Sequence, residues 1–354
     1  MTARTRYFVI TSLLLMIVGV GTGLVAYYVG FPAKAFSSRG GPDELKYLPR
    51  DATIVAYADV GAVMASDLRQ HVRSALPAQE NGQREFENET GINIETDIDR
   101  VVFCLDGSPA LDGSSAALVL ATGRFDEVKI ESLMREHGAT VEQYKGKRLI
   151  VAMPRAPSTD PSNAPPNEQR APAGRDARVR KGGDFAVSFL KPGLASVGSA
   201  NLIRTAIDLE NGGESVTTNE TLMNLIRSMD SGNAWAVGRF DALRSKARLP
   251  EGMNQLPAIT WFSVGGHVNG GFNGVVRAET RDDESANNLR DVVRGFMAIA
   301  KLQAASKPEL RALMQSLELG GAGHTVALSF SVPAQAFDLI GPAGGNKGER
   351  PRAR

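Results

Sequence analysis

The tetrapeptide Gly-Arg-Phe-Asp occurs twice in the chain, at residues 123–126 and 238–241. One interpretation is a duplicated active-site loop that presents an arginine and a carboxylate. Each copy also lies where an apolar run meets a helical pattern, and an aspartate at that junction can accept hydrogen bonds from the free amides of a helix. The alternative interpretation is a structural device for leaving a strand and entering a helix.

The chain contains one cysteine, Cys104, inside the apolar run "RVVFCLDG". A single thiol cannot form an intramolecular disulfide or a cysteine-based zinc site. Reactive cysteines usually have basic or polar neighbours that lower the pKa of the thiol, whereas apolar surroundings raise it. We therefore expect Cys104 to be a buried core residue.

The four histidines are scattered, at positions 71, 137, 267 and 324. No two of them stand three or four residues apart, so helical metal motifs are absent. His137 precedes Gly138, a predicted helix end, where a cation interacts favourably with the helix dipole. The sequence predicts no metal-binding residues.

Glycines at 265, 266, 270, 271 and 274 raise the question of a phosphate-binding loop. Such a loop lies between a strand and a helix. Here a second β-prone run follows, and Asn269-Gly270 is a strong hairpin signal. Gly198-Ser199 does stand at a predicted helix entrance, but a capping role for Ser199 or Asn201 is the simpler interpretation.

Other catalytic signatures are missing from the sequence. No Gly-x-Ser-x-Gly elbow, Ser-x-x-Lys pair or kinase signature is present, and no recognisable acid/base pair of carboxylates stands out. Asn88 and Asn219 each begin an Asn-Glu-Thr sequence that matches a glycosylation acceptor, and we favour helix or turn capping for both. We therefore predict no catalytic, cofactor-binding or metal-binding residue.

The composition is that of a folded protein with little net charge. The chain has 354 residues, 42% of them apolar, and a formal net charge of +1. A uniformly basic surface for nucleic acid is excluded by this balance. The sequence predicts no nucleic-acid partner and no cofactor.

The N-terminus predicts a membrane anchor. Residues 1–6 form a basic head, and Tyr7–Gly30 contains no charged residue, which is long enough for a transmembrane helix. "AKA" at residues 33–35 resembles a signal-peptide cleavage site, so processing near Ala35 is the alternative. The basic head favours a bacterial inner-membrane protein whose bulk is extracytoplasmic.

The rest of the chain divides by composition into a stalk, two α/β units, an insertion and a tail. We predict a stalk at 31–44, a first α/β unit at 45–153, a second at 184–340 and a disordered tail at 341–354. Between the units, residues 154–183 are rich in proline and arginine and poor in apolar residues, which predicts disorder. Since β-prone runs flank it, we interpret it as an insertion between consecutive strands, not as a hinge.

The two units show a similar order of predicted elements. Residues 52–144 and 234–332 both suggest strand, helix, strand, strand, helix, strand, with Tyr57 matching Trp235 if a two-residue offset is allowed. This is the order of ferredoxin-like units, so we predict an α+β fold of two ferredoxin-like-related (βαββαβ) units that share a mainly antiparallel sheet, with helices largely on one face. The Gly-Arg-Phe-Asp copies then fall on different strands, which favours strand exits over a duplicated site.

The run "LKYLPRDATIVAYADV" contains Leu48-Pro49-Arg50-Asp51-Ala52 and the strand after it. In this start and in the N-terminal anchor the chain resembles a group of bacterial single-pass membrane proteins with an exported α/β region. That group has no assigned activity, so the resemblance implies a layout and no catalytic residue.

These observations lead to two hypotheses on function. The first is a membrane-tethered envelope protein with a non-catalytic binding or scaffolding role, whose partners would be the lipid bilayer and an envelope protein. The second is an exported hydrolase whose site is assembled only in three dimensions, since catalytic residues are often far apart in sequence.

Overall fold

The structure of the protein is a computed structural model. The structure describes residues 41–66, 84, 87–109, 115–152, 185–229, 232–241, 257–268, 271–304 and 314–333. The predicted anchor, the Pro/Arg-rich insertion and the C-terminal tail lie outside these residues. Among the residues described, no helix has the length and apolar character needed to cross a bilayer.

Twelve strands form one continuous sheet. In chain order they are β1 (Ala52–Ala58), β2 (Ile98–Pro109), β3 (Ser115–Gly123), β4 (Thr140–Tyr144), β5 (Lys147–Ala152), β6 (Phe185–Lys191), β7 (Leu194–Ser199), β8 (Ala234–Arg239), β9 (Ile259–Val268), β10 (Gly271–Thr280), β11 (Glu318–Gly320) and β12 (Thr325–Pro333). Their order across the sheet is β11-β12-β10-β9-β8-β1-β2-β3-β7-β6-β5-β4.

Every pair of neighbouring strands is antiparallel. The helices are α1 (Val60–Met64), α2 (Ile94–Asp97), α3 (Glu127–Glu136), α4 (Ala200–Glu210), α5 (Glu220–Ser228) and α6 (Asp283–Ala304). The prediction of an α+β fold with a mainly antiparallel sheet is therefore confirmed.

The two halves of the sheet meet at the pair β1–β8, which we call the seam. Tyr57 lies directly opposite Trp235, and their rings stack with centroids 5.7 Å apart and planes 19° from parallel. All seven residues of β1 are buried. A strand that is covered on both faces reads as a continuous apolar run instead of an alternating one, and "ATIVAYA" has this pattern.

Helices cover both faces of the sheet, so the prediction that they lie largely on one face is wrong. Val55 and Tyr57 of β1 share a buried cluster with residues of α4 and α5, and we call this side the α4 face. Ala56, which points the other way, packs with Val60 of α1. This opposite side carries α1, α3 and α6, and we call it the α6 face. Strand alternation produces the two clusters, because successive side chains point to opposite faces.

The ferredoxin-like arrangement within each half is not confirmed. A split β-α-β unit places another strand between the two strands that its helix connects, and it makes those two strands parallel. Here β1 and β2 are direct antiparallel neighbours. From the seam outwards, the first half runs β1, β2, β3, β7, β6, β5, β4, and the second runs β8, β9, β10, β12, β11.

Short turns in two hairpins have the conformation that their residue types favour. Lys145 and Gly146 join β4 to β5 with positive φ angles of 47° and 82°. A two-residue hairpin turn needs positive φ at both residues, because only then does its twist match that of the strands. Pro192-Gly193 joins β6 to β7, with a positive φ of 76° at the glycine. β9 and β10 pair from Val268 and Phe272 onwards, and the predicted Asn269-Gly270 turn between them lies outside the described residues. Ala152 pairs with Phe185, so the ends of the insertion lie on neighbouring antiparallel strands, as predicted.

Candidate functional site

A surface cavity of about 310 Å³ lies on the α4 face, at one end of the seam. In the antiparallel pair, the start of β1 lies beside the end of β8, and β9 and the first residue before α5 complete the walls. The cavity is lined by Asp51, Ala52, Asn219, Arg239, Asp241, Thr260 and Trp261.

Arg239 is the basic residue of this cavity. Its guanidinium donates to both carboxylate oxygens of Asp241, with N–O distances of 3.0 and 3.3 Å. The hydrogen bond to Asp241 raises the pKa of Arg239, and the nearby charge of Asp51 adds to this effect. Because one guanidinium faces two carboxylates, the rim has a small excess of negative charge and favours a polar or cationic ligand over an anion.

The second Gly-Arg-Phe-Asp sequence positions this pair. A Cβ atom added to Gly238 would come within 2.9 Å of the Thr53 carbonyl oxygen and 2.8 Å of the Phe262 ring, so only glycine lets β8 approach its neighbours this closely. Arg239 is the last residue of β8 and stands opposite Trp261 of β9. Residues 240 and 241 are helical, so Asp241 belongs to the helical turn that follows β8.

Two other lining residues have their polar groups engaged in the fold. The Asn219 side chain accepts a hydrogen bond from the Leu222 amide at the start of α5 and donates one to the Arg50 carbonyl. The Thr260 hydroxyl donates to the Glu279 carbonyl, which is not a base that could activate it as a nucleophile. The predicted capping role of Asn219 is confirmed. Both side chains are therefore held in place by backbone groups of the fold.

The first Gly-Arg-Phe-Asp sequence is a strand exit. Asp126 accepts a hydrogen bond from the Lys129 amide (2.9 Å) and caps α3, and Phe125 packs against the α6-face core. A Cβ atom on Gly123 would stand 2.0 Å from the Asp97 carbonyl oxygen, which also accepts from the Arg124 amide. The two copies end β3 and β8, and the first also caps the helix that follows, so the strand-exit prediction is confirmed for the first copy.

Cys104, His137, His267 and His324 do not line the cavity, and His71 lies outside the described residues. Cys104 is fully buried and unpaired, and burial raises the pKa of its thiol, as predicted. His137 ends α3, where its ring Nδ1 contacts the Leu133 carbonyl oxygen at 2.7 Å. His324 Nε2 lies 3.3 Å from Asp283. Within the described ranges, no three His, Cys, Asp or Glu side chains are placed to hold a metal ion.

One capping prediction needs correction. Ser199 occupies the residue before α4, but its side chain makes no hydrogen bond to the first turn. Gly198 precedes it with a φ of 146°, and a Cβ atom there would lie 2.2 Å from the Ala117 carbonyl oxygen. The glycine therefore serves the close approach of β7 to β3, and not a ligand.

Sequence reasoning missed a buried carboxylate, Glu44, on the α4 face. It accepts hydrogen bonds from Arg100 Nε (3.1 Å) and Thr122 Oγ1 (2.8 Å). Its second oxygen, Oε2, is buried without a hydrogen-bond partner. Arg100 and Thr122 stand opposite each other on β2 and β3, so the contact fastens the N-terminal segment to the sheet. Nothing in the sequence around Glu44 signals this long-range contact.

Comparison with known proteins adds little. No family model and no curated protein matches the chain. A solved structure titled crystal form III of TP0453 is similar over 85% of this chain and 98% of its own, with 8% sequence identity and a TM-score of 0.48.

Proposed function

We propose that the protein is a membrane-tethered envelope protein with a non-catalytic binding or scaffolding role. The observation that carries the binding role is exposed apolar surface on a broad single sheet. Phe296, Ile299 and Leu302 of α6 are 66%, 55% and 78% exposed. Large apolar side chains grouped on one helix face mark interaction surfaces more often than singly scattered ones.

The shape of the sheet supports a scaffolding role. Twelve strands about 4.8 Å apart span roughly 55 Å. The middle of the sheet is buried on both faces, which keeps this span rigid, and helices on each face offer separate surfaces to partners. A wide, rigid plate can hold two partners in fixed relative positions.

The tether rests on the N-terminal sequence. Tyr7–Gly30 is free of charged residues, and the basic head before it favours an extracytoplasmic body in the bacterial inner membrane. Cleavage near Ala35 would instead release the body. Alkaline carbonate extraction of membranes, protease treatment of spheroplasts and N-terminal sequencing test these proposals. We expect a carbonate-resistant chain with an intact N-terminus and a protease-sensitive body.

We further infer that the two halves are related units, with β1–β5 corresponding to β8–β12. In each half, three strands run outwards from the seam, a helix follows, and a final hairpin places its second strand nearer the seam and its first at the sheet edge. The β6–β7 hairpin would then be an addition between β3 and β5. We propose that the two halves are related to ferredoxin-like units only in the order of their strands and helices along the chain.

The competing proposal is an exported hydrolase. The cavity at Arg239 gives it a location, since Asp51 and Asp241 supply titratable groups beside a guanidinium. Assays of the purified chain against esters, phosphoesters and glycosides, with Asp241→Asn and Asp51→Asn as matched variants, decide between the two. We expect no turnover that either variant abolishes. Turnover lost in either variant would favour the hydrolase.

Partner capture tests the binding role directly. We expect crosslinking of the tethered chain in intact cells to trap an envelope protein. If no specific crosslinked protein appears, the scaffolding role is contradicted.

A further inference from the structure

The two parts of α6 differ in what covers them. Near its start, Ala286 and Leu289 are buried against the sheet. Further along, Phe296, Ile299 and Leu302 are 66%, 55% and 78% exposed. The helix therefore extends a stripe of three large apolar side chains into solvent.

The charges on α6 are also segregated. Residues 292–304 contain only two charged side chains, Arg294 and Lys301, both basic, whereas all three acidic residues of the helix precede them. Arg294 also reaches Asp291 at 2.8 Å, in an exposed pair of the kind that contributes little. At 100° per residue, the centre of the apolar stripe and the two basic residues lie about 150° apart around the helix axis.

This combination fits a lipid surface better than a second copy of the chain. Three side chains bury at most about 500 Å², whereas a stable protein interface needs roughly 800 Å² from each partner. An apolar stripe opposite basic residues, without acidic ones, is the pattern of helices that lie in the interface of anionic membranes.

The proposed tether brings α6 within reach of the same membrane. Gly41, the first described residue, lies against Leu45 and Ile226, under α5. Ten residues separate it from Tyr7–Gly30 and can span at most about 35 Å. α5 packs on β8 on the α4 face, and α6 packs on β10 and β12 on the opposite face, two to three strand spacings or roughly 10–15 Å along the sheet. With about 10 Å between the sheet and the layer on each side, the two helices lie roughly 25 Å apart, which the ten residues can still span.

We propose that the second part of α6 binds the surface of an anionic bilayer, with Phe296, Ile299 and Leu302 at the boundary between headgroups and acyl chains. Arg294 and Lys301 then lie at the headgroup level, where they bind lipid phosphates. The body is held to the membrane at two places, the anchor and α6. This step rests on the proposed anchor.

The test uses the full chain in nanodiscs of phosphatidylglycerol and phosphatidylcholine, and in discs of phosphatidylcholine alone. Ile299→Cys carries an environment-sensitive fluorophore, and lipids with a shallow nitroxide quench it. Cys104 is fully buried, so the folded chain takes the label only at the new position. The matched control is Val128→Cys on α3, an exposed site among Glu127, Glu131 and Glu136.

We expect at least twofold more quenching at position 299 than at position 128 in the anionic discs. The excess should fall in phosphatidylcholine discs and in a variant with Arg294→Glu and Lys301→Glu. Equal quenching at both positions, or quenching that ignores lipid charge, overturns the proposal. Energy transfer between two labelled copies in one disc, without lipid quenching, assigns the stripe to self-association and also overturns it.

The anchor is checked separately, so that the two proposals can fail independently. Release of the chain from membranes by alkaline carbonate refutes the tether, whatever the label reports. A chain that stays in the membrane while position 299 is unquenched refutes only the docking of α6. Circular dichroism of each variant confirms that the sheet is intact before quenching is compared.

Discussion

The two halves of the sheet share a chain order but are covered differently. In the first half, β3 pairs with β7, and the β6–β7 hairpin and α4 build a deep core on the α4 face. In the second half, β10 pairs directly with β12, and among the described residues its outer part has a small buried cluster of Ala286, Leu289 and Val326. Two halves with the same order of strands can therefore have their cores in different places, because the connecting segments determine which surfaces are buried.

The largest expected effect is at the seam. Trp235→Ala should lower the free energy of unfolding by about 3–5 kcal/mol, because it removes a buried aromatic side chain that stacks on Tyr57. A double-mutant cycle with Tyr57→Ala should give a coupling of about 0.5–1.5 kcal/mol. Denaturant unfolding, followed by circular dichroism and by the fluorescence of Trp261, checks both values. Two separate transitions in the wild-type chain would show that the halves unfold independently.

The two Gly-Arg-Phe-Asp glycines should differ in sensitivity. Gly123→Ala places a Cβ atom 2.0 Å from a backbone carbonyl oxygen, and we expect a loss of about 3 kcal/mol. In Gly238→Ala the new Cβ atom meets the Phe262 ring, which can move, and a carbonyl oxygen at 2.9 Å. We therefore expect a smaller loss in the free energy of unfolding, about 1–2 kcal/mol. Gly320→Ala has nothing within 4 Å and serves as the control. Equal losses at Gly123 and Gly238 would contradict the close approach seen at β3.

Each half caps the helix after its third strand with an aspartate, Asp126 for α3 and Asp282 for α6. Asp126→Ala should cost about 1 kcal/mol in the free energy of unfolding, because the Lys129 amide loses its acceptor. Asp126→Asn keeps an acceptor and should retain most of that stability. Chemical denaturation of the two variants measures the difference. Identical losses in the free energy of unfolding would mean that the side-chain acceptor does not stabilise the start of α3.

The second cap gives a smaller, pH-dependent effect. Hydrogen bonds from the Ser285 amide and hydroxyl hold the pKa of Asp282 below its usual value. Since the pKa is lower in the folded state, its contribution is present above the ordinary aspartate pKa and is lost as the pH falls through the lowered value. Thermal melts between pH 2 and pH 6 should show a shallower pH dependence for Asp282→Asn than for the wild type. Identical slopes would contradict the assignment.

The smallest effect should come from the insertion that separates β5 from β6. Replacing Arg155–Gly182 with a short glycine-containing turn should leave the melting temperature unchanged or slightly raised, because Ala152 and Phe185 already pair and closing a shorter loop costs less entropy. Thermal melts of the chain with and without the insertion provide the check. A fall of many degrees would show that residues in this segment pack against the body.

Local sequence predicted the parts of this comparison that depend on short-range chemistry. Asp126 at the start of α3, the Lys145-Gly146 turn and the ends of β5 and β6 all follow from neighbouring residues. The order of the sheet could not be predicted in the same way. Apolar, β-prone runs identify β3 and β7 as strands, but about 70 residues separate them in the chain, and no local pattern indicates that they pair.

The cavity could not be predicted from local sequence either. Arg239 and Asp241 stand two residues apart, and their charges were the available indication of a site. Asp51 and Trp261 lie near them only because of the order of strands in the sheet. The motif was interpreted as a strand exit, and both copies end a strand. The sequence indicated neither the close approach that Gly238 allows nor the cavity that Arg239 lines.

The seam also bears on the order in which the chain can fold. β1 can pair with β2 early, but its other edge remains open until β8 is available, roughly 180 residues later, which is about 10–40 s of synthesis. During this interval the apolar β1 has an unpaired edge of the kind that recruits other strands. The nascent chain should therefore depend on a chaperone that shields this edge, and its folding should be slow for its size because its central contact is among its most distant in sequence.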